Sequence, residues 1–411
     1  MTQRWVLICG LVREEPSLLA KLEIIEGWKK RGIIDGVVFS TWLGELVNYP
    51  ATTAALEALG AVIVELEPPL LRTVGHTVHQ AKTLYYGLQA VPEGALVLKL
   101  RPDLYPIHEG MGDVMVGTDL DMTPDPAWPD IFQKKVLLDC TFLDAPYYCN
   151  DIRFYGLRED LLQLANFDLS TEFLCANTGP EQFFFRAPFA RHFPAIEAFL
   201  QIYPSFAFHN EGLAQRRLDA LLGSDFYLEV LATYFLIVDR YFRNGFIEPG
   251  QREREGVAEE EFSIADLFGP AGVAGMSFHP EAYASVIQDE QPIKAVLAGR
   301  FKRDDIGVRM AAALARVSDP GYRTGFAANP LRPLPAVRDL QMQISEAMAG
   351  MTHRQDLALD PEGRRYVVRG HSDRLRLAVQ TDEVRRLEDE VSGLRRLVES
   401  LRAGAGQDET V

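Results

Sequence analysis

Two short segments of the sequence place acidic side chains where phosphate chemistry could use them. Arg101-Pro102-Asp103 directly follows an apolar run that is typical of a buried strand, and Asp119-Leu120-Asp121 lies in a loop-like stretch. A parallel strand that ends in Asp-x-Asp can hold a divalent cation against the two phosphates of a nucleotide ligand. The first segment has Arg101 in place of the first carboxylate, so an ion pair at the strand end is its structural alternative. The second segment follows no strand, and we rank it second.

Other motifs of nucleotide-binding and hydrolytic enzymes are missing. Gly10 follows the first apolar run and would let a ligand approach the backbone, but the stretch from Gly10 to Glu15 lacks the G-x-G-x-x-G of dinucleotide-binding proteins. Neither a G-x-x-x-x-G-K-[ST] phosphate loop nor a G-x-S-x-G nucleophile motif occurs. His76 and His79 have helical spacing but no third ligand nearby, so we interpret them as core or surface side chains rather than zinc ligands.

The candidate segments belong to an alternating pattern of strands and helices. Apolar runs predict strands at 5–9, 37–42, 61–66 and 95–100, and helical periodicity predicts helices at 18–28, 52–59 and 76–88. Parallel neighbours require such crossovers, so the order predicts an α/β fold with a mostly parallel, Rossmann-like sheet and helices on both faces. Ligands bind at the carboxyl ends of strands in these sheets. Residues 10–13, 40–42 and 101–103 should therefore face one crevice.

Composition and charge limit the classes of function. The 411 residues are 47% hydrophobic and 24% charged, as in a folded globular protein. The net charge of −16 disfavours nonspecific nucleic-acid binding, because no overall positive charge attracts the phosphate backbone. The four cysteines lack C-x-x-C spacing, which favours reduced thiols in a cytoplasmic protein. No apolar run suits a signal peptide or the roughly 20 residues of a membrane span, so we expect a soluble or membrane-peripheral protein.

The chain divides into five parts by composition. We predict a ligand-binding and catalytic domain at 1–246, a charged linker at 247–262, a mainly helical or irregular extension at 263–370, a coiled-coil helix at 371–402 and a disordered tail at 403–411.

Several segments, in order, carry a resemblance to a known family. They are Gly10 to Glu15, Val37 to Trp42, His79-Gln80 with Tyr86-Gly87-Leu88, Val97 to Asp103, Asn150 to Gly156, and Gly179 to Phe183. In order and spacing these segments resemble the WavE-type lipopolysaccharide-synthesis family over residues 4–210. The resemblance implies a GT-A-like fold and a glycosyltransferase that uses a nucleotide-sugar donor. Two positions depart from the family pattern. The family usually has a polar residue where this chain has Pro102, and an Asn before the Gln80 segment, where this chain has His76 and Thr77.

The resemblance also implies roles for individual residues. It puts Arg101 and Asp103 at the donor phosphates and leaves open whether Mn²⁺ or Mg²⁺ binds Asp103. The implied catalytic residues are Asp103 and, on the acceptor side, the carboxylates Asp151 and Glu181. The residues implied to bind the donor are Gly10, Val12, Arg13, Ser40, Trp42, Gln80 and Arg101.

Three functions remain open at this point. The first is a cytoplasmic glycosyltransferase that builds a bacterial surface polysaccharide or its lipid-linked precursor, at the inner face of the membrane. The second is another sugar-nucleotide enzyme such as a nucleotidyltransferase, although the glycine-rich phosphate loop with lysine is missing. The third is a non-catalytic assembly subunit, which the missing first carboxylate favours.

The C-terminal helix has a heptad pattern. Valines 384, 391 and 398 occupy a positions and leucines 387, 394 and 401 occupy d positions. β-Branched residues at a with leucine at d favour a parallel two-stranded coiled coil, hence a homodimer. A helix packed on its own domain is the alternative. In a dimer, the arginine-rich stretches just upstream would lie side by side, a weak anchor for anionic lipid.

Shortening the chain tests the coiled coil. We expect light scattering to give a dimer for the full chain and a monomer for a chain that ends at Gly370, because the helix needs a buried seam to be stable. Two monomers or two dimers would contradict the coiled coil and mean that the helix packs on its own domain.

Overall fold

The computed structural model describes residues 2–69, 76–103, 107–125, 128–138, 151–165, 179–189, 192–193, 225–244, 262–263, 277–278, 304–319, 358–359 and 364–368. The predicted coiled coil, the tail and the linker up to residue 261 lie outside these ranges.

The helices and strands of the described residues follow the predicted alternation. The strands are β1 (Arg4–Cys9), β2 (Gly36–Trp42), β3 (Val62–Leu66), β4 (Leu96–Leu100), β5 (Val136–Leu138), β6 (Phe154–Leu157), β7 (Phe242–Asn244), β8 (Phe262–Ser263), β9 (Ser277–Phe278), β10 (Ala358–Leu359) and β11 (Arg365–Val368). The helices are α1 (Glu15–Lys30), α2 (Pro50–Ala58), α3 (Thr77–Gln89), α4 (Met111–Gly117), α5 (Arg158–Ala165), α6 (Pro180–Phe189), α7 (Asp225–Tyr241) and α8 (Asp304–Ser318), with a 3₁₀ turn at Glu45–Asn48.

One mixed sheet organises the fold. Its strand order is β10-β11-β3-β2-β1-β4-β6-β5-β7, and β8 pairs with β9 in a separate hairpin. Strands β11, β3, β2, β1 and β4 are parallel neighbours, whereas β6 is antiparallel to both β4 and β5. In register, Val6 of β1 lies beside Val37 of β2 and Leu98 of β4. The predicted α/β class with a mostly parallel sheet is confirmed.

Helices cover both faces of the sheet, which explains the continuous apolar runs of its strands. On β1, Val6 and Ile8 pack with the core under α1, α2 and α4, while Leu7 and Cys9 pack with the core under α3, α5, α6 and α7. Side chains alternate along a strand, so a strand that is buried on both faces is apolar at most of its positions. Helix α8 extends the second layer by packing on α7. Among the described helices, none is long and apolar enough to cross a membrane.

The extension at 263–370 contributes to the sheet, which the sequence did not predict. Besides helix α8, it supplies β11, which pairs in parallel with β3 from Arg365 beside Ile63 to Val368 beside Leu66. Strand β10 then pairs with β11 in the antiparallel direction. These strands are too short to stand out in the sequence, and their partner is distant along the chain. The sheet therefore extends past the predicted domain boundary at 246.

Gly87 tests how closely α3 lies on the sheet. A Cβ atom at Gly87 would lie 2.6 Å from Leu7 Cδ1 and 3.0 Å from Ser40 Cβ, and both neighbours are fully buried. Gly27 of α1 is the matched control, because its Cβ would meet only Glu109 Oε1 at 3.9 Å. Both substitutions to Ala gain the same helix propensity, so overpacking should leave Gly87→Ala about 1–3 kcal/mol less stable than Gly27→Ala in denaturant unfolding. Equal stabilities would contradict the close packing.

Candidate functional site

A cleft opens at the carboxyl ends of β1, β2 and β4, where the parallel strands meet the start of α3. The cleft is open to solvent on one side. The position is the one predicted from the strand order. The cleft is lined by Cys9, Gly10, Leu11, Arg13, Trp42, His76, His79, Gln80, Thr83, Lys99, Arg101 and Asp103.

The loop after β1 forms one wall and is held at two points. Gly10 has φ of +123°, a backbone conformation that favours glycine, and a Cβ there would lie 3.5 Å from the Pro102 ring. Its N–H donates to the Ser40 carbonyl at 3.0 Å. Further along, the N–H of Val12 donates to Glu45 Oε1 at 3.1 Å. These contacts fix the loop against the ends of β2 and β4.

Arg101 is the centre of the site. Its Nε donates to Asp103 Oδ1 and its Nη2 to Asp103 Oδ2, both at 3.2 Å, while Nη1 donates to Asp151 Oδ2 at 3.1 Å. Arg13 adds a contact from its Nε to Asp103 Oδ2 at 3.4 Å. The structure thus joins β4, the loop after β1 and the segment before β6 through one guanidinium group. The ion pair considered as the structural alternative for the Arg101-Pro102-Asp103 segment is present, and it lines the cleft.

Electrostatics keeps both members of the central pair charged. Burial by itself would raise the pKa of Asp103, but hydrogen bonds from Arg101 and the charges of Arg101 and Arg13 outweigh it, so the pKa lies below its usual range. Burial by itself would lower the pKa of Arg101, but hydrogen bonds and the charges of Asp103 and Asp151 raise it overall.

Two buried lysines support the centre. Lys21 donates from Nζ to the carbonyl oxygens of Arg101 at 3.2 Å and Pro102 at 2.9 Å. Lys99, on β4, donates to the carbonyls of Asp151 and Ile152 and lines the cleft. These bonds supply polar partners for ammonium groups that would otherwise be costly to bury.

The site has an excess of positive charge in an acidic protein. Burial lowers the pKa of Lys21, and the positive charges of Arg153 and Arg101 lower it further. The negative charge of Asp103 acts in the opposite direction but does not outweigh them. Of the described Lys, Arg, Asp and Glu side chains that line the cleft, three are cations (Arg13, Lys99 and Arg101) and one is a carboxylate, Asp103. This balance favours an anionic ligand.

Helix α3 and strand β2 form the opposite, aromatic wall. The His79 ring lies edge to face with Trp42 at 5.3 Å between centroids and with His76 at 5.5 Å. His79, Gln80 and Thr83 share one face of α3, and His76 directly precedes the helix; all four line the cleft. Our interpretation of the two histidines as core or surface residues did not predict their position beside the cleft. Helical spacing could have placed His79 beside Gln80, which was predicted to bind the ligand.

The structure brings six of the ten predicted site residues into the cleft. They are Gly10, Arg13, Trp42, Gln80, Arg101 and Asp103. Two of the predicted donor contacts are not cleft-lining. Val12 is buried, and Ser40 is covered by α3, where its Oγ donates to the Thr83 carbonyl at 2.8 Å.

The remaining predicted carboxylates lie elsewhere. Asp151 is buried behind Arg101, and Glu181 is half-buried in the first turn of α6 and is not a cleft residue. Asp119 and Asp121 are exposed outside the cleft, with Asp121 ion-paired to Lys134. The second-ranked Asp-x-Asp segment is therefore separate from the cleft.

Sequence reasoning also missed Cys9 and Lys99. Burial raises the pKa of Cys9 to about 12, although the charge of Lys99 acts in the opposite sense, so the thiol stays protonated and is a poor nucleophile. Lys99 could have been noticed, because a lysine inside an apolar strand must find a buried partner.

The donor set does not fit a divalent cation of the expected kind. Both carboxylate oxygens of Asp103 accept hydrogen bonds from Arg101, which itself stands where an Asp-x-Asp segment has its first carboxylate. Within the described ranges no group of three or more His, Cys, Asp or Glu side chains is arranged to hold a metal ion. Mn²⁺ or Mg²⁺ would need oxygen ligands that Arg101 already occupies.

Comparisons of the chain with protein-family models, curated proteins and solved structures find no match. The resemblance to the WavE-type family stays a prediction from the sequence segments, and the function must be argued from the cleft itself.

The pH dependence of stability tests the pairing of Asp103. Its pKa in the folded state lies below the unfolded value, so its charge stabilises the fold above about pH 4, and this contribution is lost as the pH falls toward the folded pKa. We expect Asp103→Asn to lower the free energy of unfolding by about 1–3 kcal/mol at pH 7 and by progressively less below pH 4.

Denaturant unfolding from pH 3 to pH 7 measures this effect. Asp121→Asn is the control, because its exposed pair with Lys134 should contribute less than about 1 kcal/mol. A loss for Asp103→Asn that stays constant across this range would contradict the pairing.

Proposed function

We propose that the protein is a glycosyltransferase that transfers a sugar from a nucleotide-sugar donor to a bacterial surface polysaccharide or a lipid-linked glycan. The observation that carries the proposal is the Arg101–Asp103 pair at the end of β4, which faces the Gly10 loop across one cleft. In a mostly parallel α/β sheet this is the place where a nucleotide phosphate binds. The reaction would take place on the cytoplasmic side, where such donors are made.

The sheet topology supports a GT-A-like version of the fold. The first half is a parallel β3-β2-β1-β4 unit of the kind that binds nucleotides. After β4 the sheet continues with the reversed strand β6 and then with β5 and β7. A reversal next to β4 ends the repeat of parallel crossovers and separates a donor half from a second half, which is where an acceptor would bind.

The two walls of the cleft suit the two ends of a nucleotide sugar. Trp42 and His79 offer an aromatic surface for the base or the sugar ring. Arg13 and Arg101 offer guanidinium groups for the diphosphate and for the negative charge that grows on it as the glycosidic bond breaks. Preorganised charge of this sign stabilises the leaving group in the transition state.

The acceptor-side roles expected for Asp151 and Glu181 lose support. Asp151 is paired to Arg101 and is 5% exposed, so it lacks access to an acceptor hydroxyl. Glu181 is not a cleft-lining residue. We assign Asp151 to the donor side, where it supports Arg101.

A non-catalytic assembly subunit is the second candidate, and one observation favours it. Arg101 occupies the carboxylates of both Asp103 and Asp151, so no unpaired carboxylate of these two faces the cleft. Such a protein would bind a nucleotide sugar without breaking its glycosidic bond. A nucleotidyltransferase remains disfavoured, because the sequence lacks the glycine-rich phosphate loop with lysine.

Donor turnover separates these functions. A thermal-shift panel of nucleotide sugars would first identify the donor that binds best, and slow hydrolysis of that donor, with water as acceptor, would then report bond cleavage. We expect Asp103→Asn to lower the rate by about 10²-fold or more, because it removes a preorganised charge that holds Arg101 in place. Asp113→Asn, at an exposed position on α4, should turn over like the natural chain.

Other outcomes have defined meanings. Binding of a donor without hydrolysis in any sample would favour the assembly subunit. Unchanged hydrolysis by a folded Asp103→Asn variant would contradict the assignment of the site to the end of β4.

A further inference from the structure

We propose that the guanidinium group of Arg101, held by Asp103 and Asp151, takes the place of a divalent cation at the donor diphosphate, so that donor binding needs no metal. This inference rests on the proposed function and specifies how the same cleft recognises its substrate. It also makes Asp151 a positioning residue, which acts through Arg101.

The first argument is competition for the carboxylate oxygens. Both oxygens of Asp103 accept from Arg101 at 3.2 Å, and Oδ2 also lies 3.4 Å from Arg13 Nε. A cation bound to Asp103 would have to displace these donors. It would then lie beside the guanidinium group, whose like charge repels it in a partly buried site that screens charges less than water does.

The second argument is the number of donors that Arg101 has left. A guanidinium group has five N–H donors, and three donate to Asp103 and Asp151. Among the described residues, the other two donors, one on Nη1 and one on Nη2, make no hydrogen bond, and Arg101 lines the cleft with 18% of its side chain exposed. Both lie in the rigid guanidinium plane and can donate to phosphate oxygens.

The third argument is the way the guanidinium is held. Asp103, just after β4, and Asp151, just before β6, both accept hydrogen bonds from the guanidinium group. Lys99 donates to the carbonyl of Asp151 and so fixes the position of that residue. Lys21, on α1, donates from Nζ to the backbone carbonyl of Arg101. Because Arg101 is held in this way, it needs little reorganisation to bind a phosphate. A bound metal ion would offer the same advantage, a positive charge that is already in place.

Calorimetry on the full chain tests the inference. UDP, GDP and CDP, each beside its parent nucleoside, would be titrated once with EDTA and once with excess Mn²⁺. We expect at least one diphosphate to bind more tightly than its nucleoside in EDTA, with an affinity within about threefold of that in Mn²⁺, a difference below 1 kcal/mol. Diphosphate binding that requires Mn²⁺ would overturn the inference and leave the proposed function in place. Failure of every diphosphate in both arms would overturn both.

Variants locate the phosphate contact. Arg101→Gln should weaken the diphosphate by about 10–100-fold, the loss expected for a charge-assisted pair, and leave the nucleoside unchanged. Asp151→Asn should give a smaller loss with the same selectivity for the diphosphate, which a general loss of structure would not produce. Arg31→Gln is the matched control, since Arg31 pairs with Glu109 and does not line the cleft.

Two further substitutions keep the test decisive if Arg101→Gln does not fold. Arg101→Lys keeps the charge but loses the planar pair of donors, so it should bind the diphosphate more weakly than the natural chain. Arg101→Asp creates an Asp-x-Asp segment, and we expect its diphosphate binding to become dependent on Mn²⁺. Full diphosphate affinity in EDTA for any folded variant that lacks Arg101 would overturn the inference.

Discussion

The bidentate ion pair between Arg101 and Asp103, completed by Asp151, is the interaction on which the rest of the site depends. It joins the end of β4 to the segment that leads into β6, and Arg13 extends it to the loop after β1. Removing either partner would leave a largely buried charge without its counter-charge, which is more costly than never having buried the pair.

The fold serves this pair by bringing three loops to one edge of the sheet. Parallel pairing of β1 with β2 and β4 fixes the register, so their carboxyl ends meet. Gly10 allows the first loop to lie against the Pro102 ring, and the Glu45 carboxylate holds the same loop through the N–H of Val12. Gly87 lets α3 lie close to β1 and β2, which sets the distance between the aromatic wall and the basic one.

Charge within the cleft opposes the charge of the whole protein. The chain carries a net charge of −16, yet among the described residues Arg13, Lys99 and Arg101 line the cleft beside a single carboxylate, Asp103. Lys21 and Lys99 are buried at 2% exposure, and both donate to backbone carbonyls near Arg101. Positive groups at this position make the cleft more favourable for a small anion than the acidic protein as a whole.

The sequence by itself determined the α/β class, the first four strands and the crevice that their ends share, because apolar periodicity and strand–helix alternation are local properties of the chain. It also identified Gly10, Arg13, Trp42 and Arg101 as residues of that crevice. Only the tertiary structure decided the partners of the charged side chains. That Asp151 binds Arg101 from about fifty positions away, and that β11 completes the sheet beside β3, depends on contacts between distant segments. Local patterns carry no record of such contacts, since the free energy that fixes them arises only when the sheet brings the segments together.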